Sequence, residues 1–131
     1  MIQKQAVMIV IEKDGKFLLG KRADWKPTAP GYWCPISGHI EENESQEAAV
    51  IREAWEEVGL MVKPLRKLAT MNTHDGSTQL HWWQVHVMEG EAFIKNRENS
   101  ELGWFTTEEL KKLEPTFKED IEVLLQLKKT T

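Results

Sequence analysis

The chain has almost no cysteine: Cys34 is alone, so no disulfide can close within it, and a cytoplasmic setting is the expectation. Between Trp33 and Pro35, with no adjacent cation to lower its pKa, Cys34 reads as a small buried hydrophobe rather than a reactive thiol. Long apolar runs are missing too. The stretch from Ala6 to Ile11 is too short to span a bilayer and has no signal-peptide pattern around it. There is no excess of positive charge: 17 Lys and Arg stand against 21 Asp and Glu, a net charge of −4, which argues against a general nucleic-acid groove. A small anionic substrate would then need locally placed cations or metal ions. No repeat, low-complexity tract or linker interrupts the chain. What is present, 131 residues at 40% hydrophobic and 29% charged, suits one domain, 1–131, with a sizeable core.

Two apolar runs, about Gln5 to Ile11 and Lys16 to Lys21, flank Lys13-Asp14-Gly15 and predict a hairpin. Gly15 to Lys21 also fits a glycine, four residues, then Gly-Lys. Arg22 stands where a phosphate loop needs Ser or Thr, however, and no helix follows. Ala23 to Gly31, with two prolines and Trp25, predicts an irregular loop, a lid candidate. Met61 to Met71 and Gln79 to Met88 read as strands, the second with Trp83, Val85 and Val87 on its core face. Thr106 with Glu109, and Thr116 with Glu119, predict capping boxes for two C-terminal helices. The last carries an apolar stripe of Phe117, Ile121, Leu124 and Leu125, with Leu127 off its edge. The element order predicts an α/β fold: a mixed sheet with helices on both faces.

The most informative stretch is Gly38, Glu44 and Arg52-Glu53-Ala54-Trp55-Glu56-Glu57-Val58-Gly59-Leu60. Asn43 as cap, with Gln46 three residues on, predicts a helix from about Glu44 to Val58, stopped by a left-handed Gly59. At helical spacing Glu53, Glu56 and Glu57 fall within an arc of about 100°, opposite an apolar face of Ala48, Ile51, Trp55 and Val58. Only Arg52 is near to relieve the clustered charge. Carboxylates without Cys or His suit a hard divalent ion, Mg²⁺ or Mn²⁺ rather than zinc. Gly38 is expected to open a tight loop into the helix.

This array matches the signature of the Nudix hydrolases at every fixed position, and the chain is identified by it as resembling that MutT-like family. Weaker likeness extends to Leu18-Leu19-Gly20-Lys21-Arg22, Gly31-Tyr32-Trp33, and Glu101, Trp104 and Phe105. The resemblance implies an α/β/α sandwich in which residues 38–60 form a loop, helix and loop. It implies hydrolysis of a nucleoside diphosphate linked to another group, by attack of water on phosphorus. Glu53, Glu56 and Glu57 would be metal ligands, Arg52 would orient the carboxylates, and Glu44 would serve a further shell or an outer metal. Where the family often has Pro-Gly-Gly, this chain has Ile36-Ser37-Gly38, which puts the metal geometry at that corner in question.

The general base is expected from the box or from Glu98 or Glu101 in the segment before Trp104. Arg22, ahead of Lys21, is the candidate for substrate phosphates, since a planar guanidinium suits phosphate better. Trp25, Trp33 or Trp82 are candidates to stack on a base, with Trp33, Trp55, Trp83 and Trp104 better suited to the core. His39 is the histidine nearest the chemistry; His81 and His86 face opposite sides of a strand and share no zinc site. A Mg²⁺-dependent diphosphohydrolase acting on a nucleoside triphosphate, releasing monophosphate and pyrophosphate, is the leading reading. The alternatives are a nucleotide-sugar or dinucleotide diphosphatase and a catalytically silent nucleotide sensor, against which the intact glutamates speak.

Overall fold

Asp14 and Gly15 both take left-handed backbone, φ 53° and 77°, and fold β2 (Glu12–Lys13) onto β3 (Lys16–Arg22). Positive φ at both central residues matches the twist of paired strands, so a turn forms where the Asp-Gly signal places it, but it joins only residues 12–13 to the second run, while residues 4–10 of the first run pair elsewhere in the sheet. The structure, a computed structural model, describes residues 2–130. Besides these elements it contains β1 (Lys4–Val10), β4 (Trp33–His39), α1 (Gln46–Val58), β5 (Met61–Asn72), β6 (Thr78–Glu89), β7 (Asn99–Phe105), α2 (Thr107–Lys112) and α3 (Lys118–Lys129). Strands run in the order β2-β3-β4-β1-β6-β5, with β7 also paired to β3. β1 and β6 are parallel and the other pairs antiparallel, which makes the sheet mixed.

Strand alternation divides the apolar residues between two layers. On one face Val7, Ile9, Leu18, Ile36, Val62 and Val85 pack against Ala49, Val50, Ala54 and Val58 of α1. On the other, Met8, Val10, Phe17, Leu19 and Trp82 pack against Leu110 of α2 and Ile121, Leu124 and Leu127 of α3. The result is the expected α/β/α sandwich. Among the described residues no helix is long and apolar enough to cross a membrane.

Several local expectations give way. α1 starts at Gln46, not Glu44: Ser45 is the cap, its hydroxyl accepting from Ala48 N, while Asn43 turns left-handed at φ 63°. α3 has no capping box, since its cap position is Phe117, and its buried stripe includes Leu127. The α2 box of Thr106 and Glu109 is present. β4 and β7 were not foreseen, because Pro35 and Gly38 in one and Gly103 in the other break the look of a strand. Trp82 is fully buried in the second core layer and cannot stack on a substrate, while His86 and Met88 farther along the same face of β6 are exposed.

The buried face of α1 also differs. Ile51 and Trp55 are about half exposed and Ala48 is exposed, whereas Ala49, Val50, Ala54, Glu57 and Val58 are buried. Small side chains let the helix lie close to the sheet, and its acidic edge is drawn in with them. The Trp55 ring is covered instead by the Lys95 ammonium, 3.5 Å from its centroid, an attraction of the cation for the ring face.

Candidate active site

Gly38 lies within β4 opposite Val7 of β1, so it opens no turn. Its value is space: a Cβ there would sit 2.0 Å from the Glu53 carboxyl carbon. Ser37 is an ordinary strand residue opposite Met8, so serine in place of glycine imposes no backbone strain at this corner.

Arg52 gathers the carboxylates. Its Nε and Nη2 donate to the two oxygens of Glu44 at 2.8 and 2.9 Å, and Nη1 donates to Glu53 at 2.7 Å and Glu56 at 3.1 Å. Nη2 also donates to the carbonyl of His39 at 2.9 Å, which ties the end of β4 to the helix. These five bonds match the five donors of a guanidinium. Glu44 therefore stands outside the helix, on the same side as Glu53, with its second oxygen contact from Glu41 N. Its hydrogen bonds to Arg52 hold its carboxyl down at about 2.

Glu57 is different in kind. It is 5% exposed, it shares a hydrogen bond with Glu53, and its Oε2 has no partner. Burial first, then the charge of Glu53, push its carboxyl well above the usual range, to about 9. Burial also raises Glu53, against the pull of Arg52. Two carboxyl groups pressed together in a low-dielectric edge cannot both ionise without compensation, so one proton is held between them. Glu98 adds to the negative field on Glu57 and Lys26 opposes it.

The other candidates separate. The charge of Glu98 is felt at Glu57, while Glu101 sits across from Lys21 in the β3–β7 register and pairs with it at 3.5 Å. Alternation puts both on the face away from α1, so Glu101 does not join the carboxylates. Arg22 Nε donates to Thr28 O within its own loop. Trp25 is exposed, with its indole N–H on Arg97 O. The His39 side chain is exposed. His81 is buried, bonded through its ring nitrogens to Gln5 and Lys67, and plays a structural part. Cys34 is buried and its thiol pushed up to about 12, chiefly by burial, so it is inert.

The family model described as NUDIX domain matches residues 1–127. The chain is a Nudix hydrolase. It is 30% identical over 105 residues to a CTP pyrophosphohydrolase of Escherichia coli K12, covering 80% of this chain and 77% of that protein. It is 29% identical over 126 residues to the nucleoside triphosphatase NudI of Enterobacter sp. 638, covering 87% and 89%. In fold it is similar to a MutT protein from Methanosarcina mazei Go1, with a TM-score of 0.86 at 21% identity over 98% of this chain and 94% of that one.

In this Nudix hydrolase no three acidic, His or Cys side chains among the described residues surround one point as they stand, because the Arg52 guanidinium occupies the centre. Glu56 in particular points out to Arg52, half exposed, rather than in beside Glu57. The donor chemistry nonetheless fits a hard divalent ion. A buried carboxylate oxygen lacks a partner, its neighbour is another carboxylate, and Gly38, having no side chain, makes the room that the Glu53 carboxylate occupies. Reading the sequence missed Lys26, the cation that faces Glu57 and Glu98. It lies in an irregular loop, and only the packing of that loop against residues 90–98 reveals it.

Proposed function

We propose that this Nudix hydrolase is a Mg²⁺-dependent diphosphohydrolase that converts a nucleoside triphosphate to a monophosphate and pyrophosphate. The observation that carries the reading is the buried Glu57, with one oxygen unpartnered and a hydrogen bond to Glu53, whose carboxylate is seated against Gly38. An orphaned buried carboxylate oxygen is costly, and it is retained where a ligand completes it. Names of relatives support the substrate class, since one is a CTP pyrophosphohydrolase and another a nucleoside triphosphatase.

Glu53, Glu56 and Glu57 would hold the ion, Mn²⁺ serving as an alternative to Mg²⁺, with Glu56 turning inward from its exposed position on Arg52. Arg52 orients Glu53 and fixes Glu44, which supports the cluster from outside. The bound ion supplies positive charge to the phosphate oxygens and lowers the pKa of the attacking water. Glu98 accepts the proton of that water as its oxygen bonds to phosphorus; the anhydride P–O bond breaks and pyrophosphate leaves. Arg22 is the proposed phosphate contact and Trp25 the proposed stacking surface, both at the rim of the loop that follows β3.

Pyrophosphate and phosphate release are measured across a panel of nucleoside triphosphates, with and without Mg²⁺. Mg²⁺-dependent pyrophosphate release is the expected result, and Glu57→Gln abolishes it. The same substitution flattens the fall in Tm of the metal-free protein as pH rises toward 9, because it removes an ionisable group from a site that resists its charge. Turnover by the purified Glu57→Gln variant at the wild-type rate would overturn the assignment.

A further inference from the structure

Two loops meet over the C-terminal half of α1, and they are stitched together. Ala23 N donates to Glu98 O at 3.0 Å, and the Trp25 indole donates to Arg97 O at 3.0 Å. On its other side the second loop is tied to the helix end: Lys95 N donates to Glu57 O at 3.0 Å and Phe93 N to Val58 O at 3.1 Å. Glu98 N is closed off by Asn96 Oδ1 at 3.0 Å. The backbone of Glu98 is thereby fixed next to the acidic edge of the helix, and what remains free is its side chain.

That side chain faces an electrostatic problem. Glu98 and Glu57 disfavour each other's charge, while 41% of the Glu98 side chain is exposed to water. Left alone, a carboxylate in this position lowers its energy by rotating outward. Lys26 prevents that: its Nζ bonds Glu98 Oε2 at 2.5 Å and is itself only 20% exposed. The two basic residues that end the strand before the loop are engaged elsewhere, Lys21 with Glu101 and Arg22 with Thr28 O.

We propose that Lys26 is a positioning residue that holds the Glu98 carboxylate toward the Glu57 edge of the site, where it takes a proton from the attacking water. The proposal rests on the assignment of Glu98 as base. Lys26 touches neither water nor phosphate in this role; it fixes the direction of another side chain. Displacement of a reacting group by about 1 Å can cost on the order of a hundredfold in rate.

Steady-state kinetics with Mg²⁺ and the nucleoside triphosphate turned over fastest are compared for the wild type, Lys26→Met, Lys26→Arg, Glu98→Gln and the double variant Lys26→Met/Glu98→Gln. Circular dichroism and thermal melting confirm that each is folded. Lys26→Met is expected to lower kcat by about tenfold to a hundredfold with KM within about threefold. Lys26→Arg restores most of the loss, and the double variant is no slower than Glu98→Gln alone, since a positioning residue has nothing to do once its target is gone. The proposal is overturned if Lys26→Met raises KM with kcat unchanged, or if its loss adds in full to that of Glu98→Gln. A folded Lys26→Met of wild-type kcat, beside a crippled Glu98→Gln, overturns Lys26 alone. Unimpaired Glu98→Gln removes Glu98 as base instead.

Discussion

At the scale of single residues, two glycines of the signature are required for different reasons. Gly38 keeps an ordinary strand conformation, and what an added methyl would strike is the movable end of Glu53. Gly59 sits at φ 69°, where a side chain is strained, and its Cβ would meet the Phe93 ring at 2.3 Å. Gly38→Ala is therefore expected to fold, with a Tm within a few degrees of wild type, while turnover falls by about a hundredfold as Glu53 is pushed aside. Gly59→Ala should lose stability, by about 1 kcal/mol or more from the left-handed backbone alone. Thermal melting beside turnover separates the two, and a Gly38→Ala enzyme of full activity would show that the seat of Glu53 against Gly38 is not needed. The same distinction applies to Glu44 and Glu57: Arg52 keeps one charged, and burial keeps the other protonated.

At the scale of elements, the helix carrying the signature is set by its ends. The Ser45 hydroxyl satisfies Ala48 N, and the Gly59 N–H reaches back to Trp55 O. Ser45→Ala is expected to lower stability by about 1 kcal/mol, measured by urea denaturation, and an unchanged midpoint would mean the cap is dispensable. The existence of α1 and its stop at Gly59 were legible because cap and glycine signals are local. Its start was misplaced by two residues, since Asn43 and Ser45 are both good caps and only the turn at Asn43 decides between them. Its buried face was misread for a physical reason: periodicity assigns Trp55 and Ile51 inward by hydrophobicity, whereas close packing chooses the small Ala49 and Ala54 and carries Glu57 in with them. The carboxylates of the site were legible as a motif. The pairing of Lys26 with Glu98, 72 residues apart, was not, because it depends on how two irregular loops meet.

For the molecule as a whole, the titrating groups sort into two sets with opposite effects on stability. Glu44 and Asp75 are held down at about 2, by Arg52 and by hydrogen bonds from Ser77 respectively, and Glu109 is lowered by its cap contacts with Thr106. Their stabilisation is present above the ordinary carboxylate pKa and is lost as pH falls toward 2. Asp120 behaves in reverse. Buried at the first turn of α3 at 6% exposure, it is raised from 3.8 to about 7, mainly by burial. Folded protein then binds the proton more tightly than unfolded chain does, so stability is greatest below about 4 for this group and declines as pH rises toward 7, levelling beyond. A shift of that size corresponds to on the order of 4 kcal/mol, a large share of a domain's usual 5–15 kcal/mol. Glu57 pulls in the same direction and continues to about 9 in the metal-free protein. The metal-free enzyme should thus be most stable at mildly acidic pH, near 4 to 5, and lose stability steadily toward pH 9. Asp120→Asn is expected to flatten the part of that decline between pH 4 and 7 while leaving the part above 7, which belongs to Glu57. The slope decides the matter rather than the absolute stability, because a buried amide brings its own unmet hydrogen bonds. Tm measured in EDTA from pH 4 to 9 reads the slope directly, and an Asp120→Asn profile parallel to wild type between 4 and 7 would show that Asp120 is ionised in the folded protein.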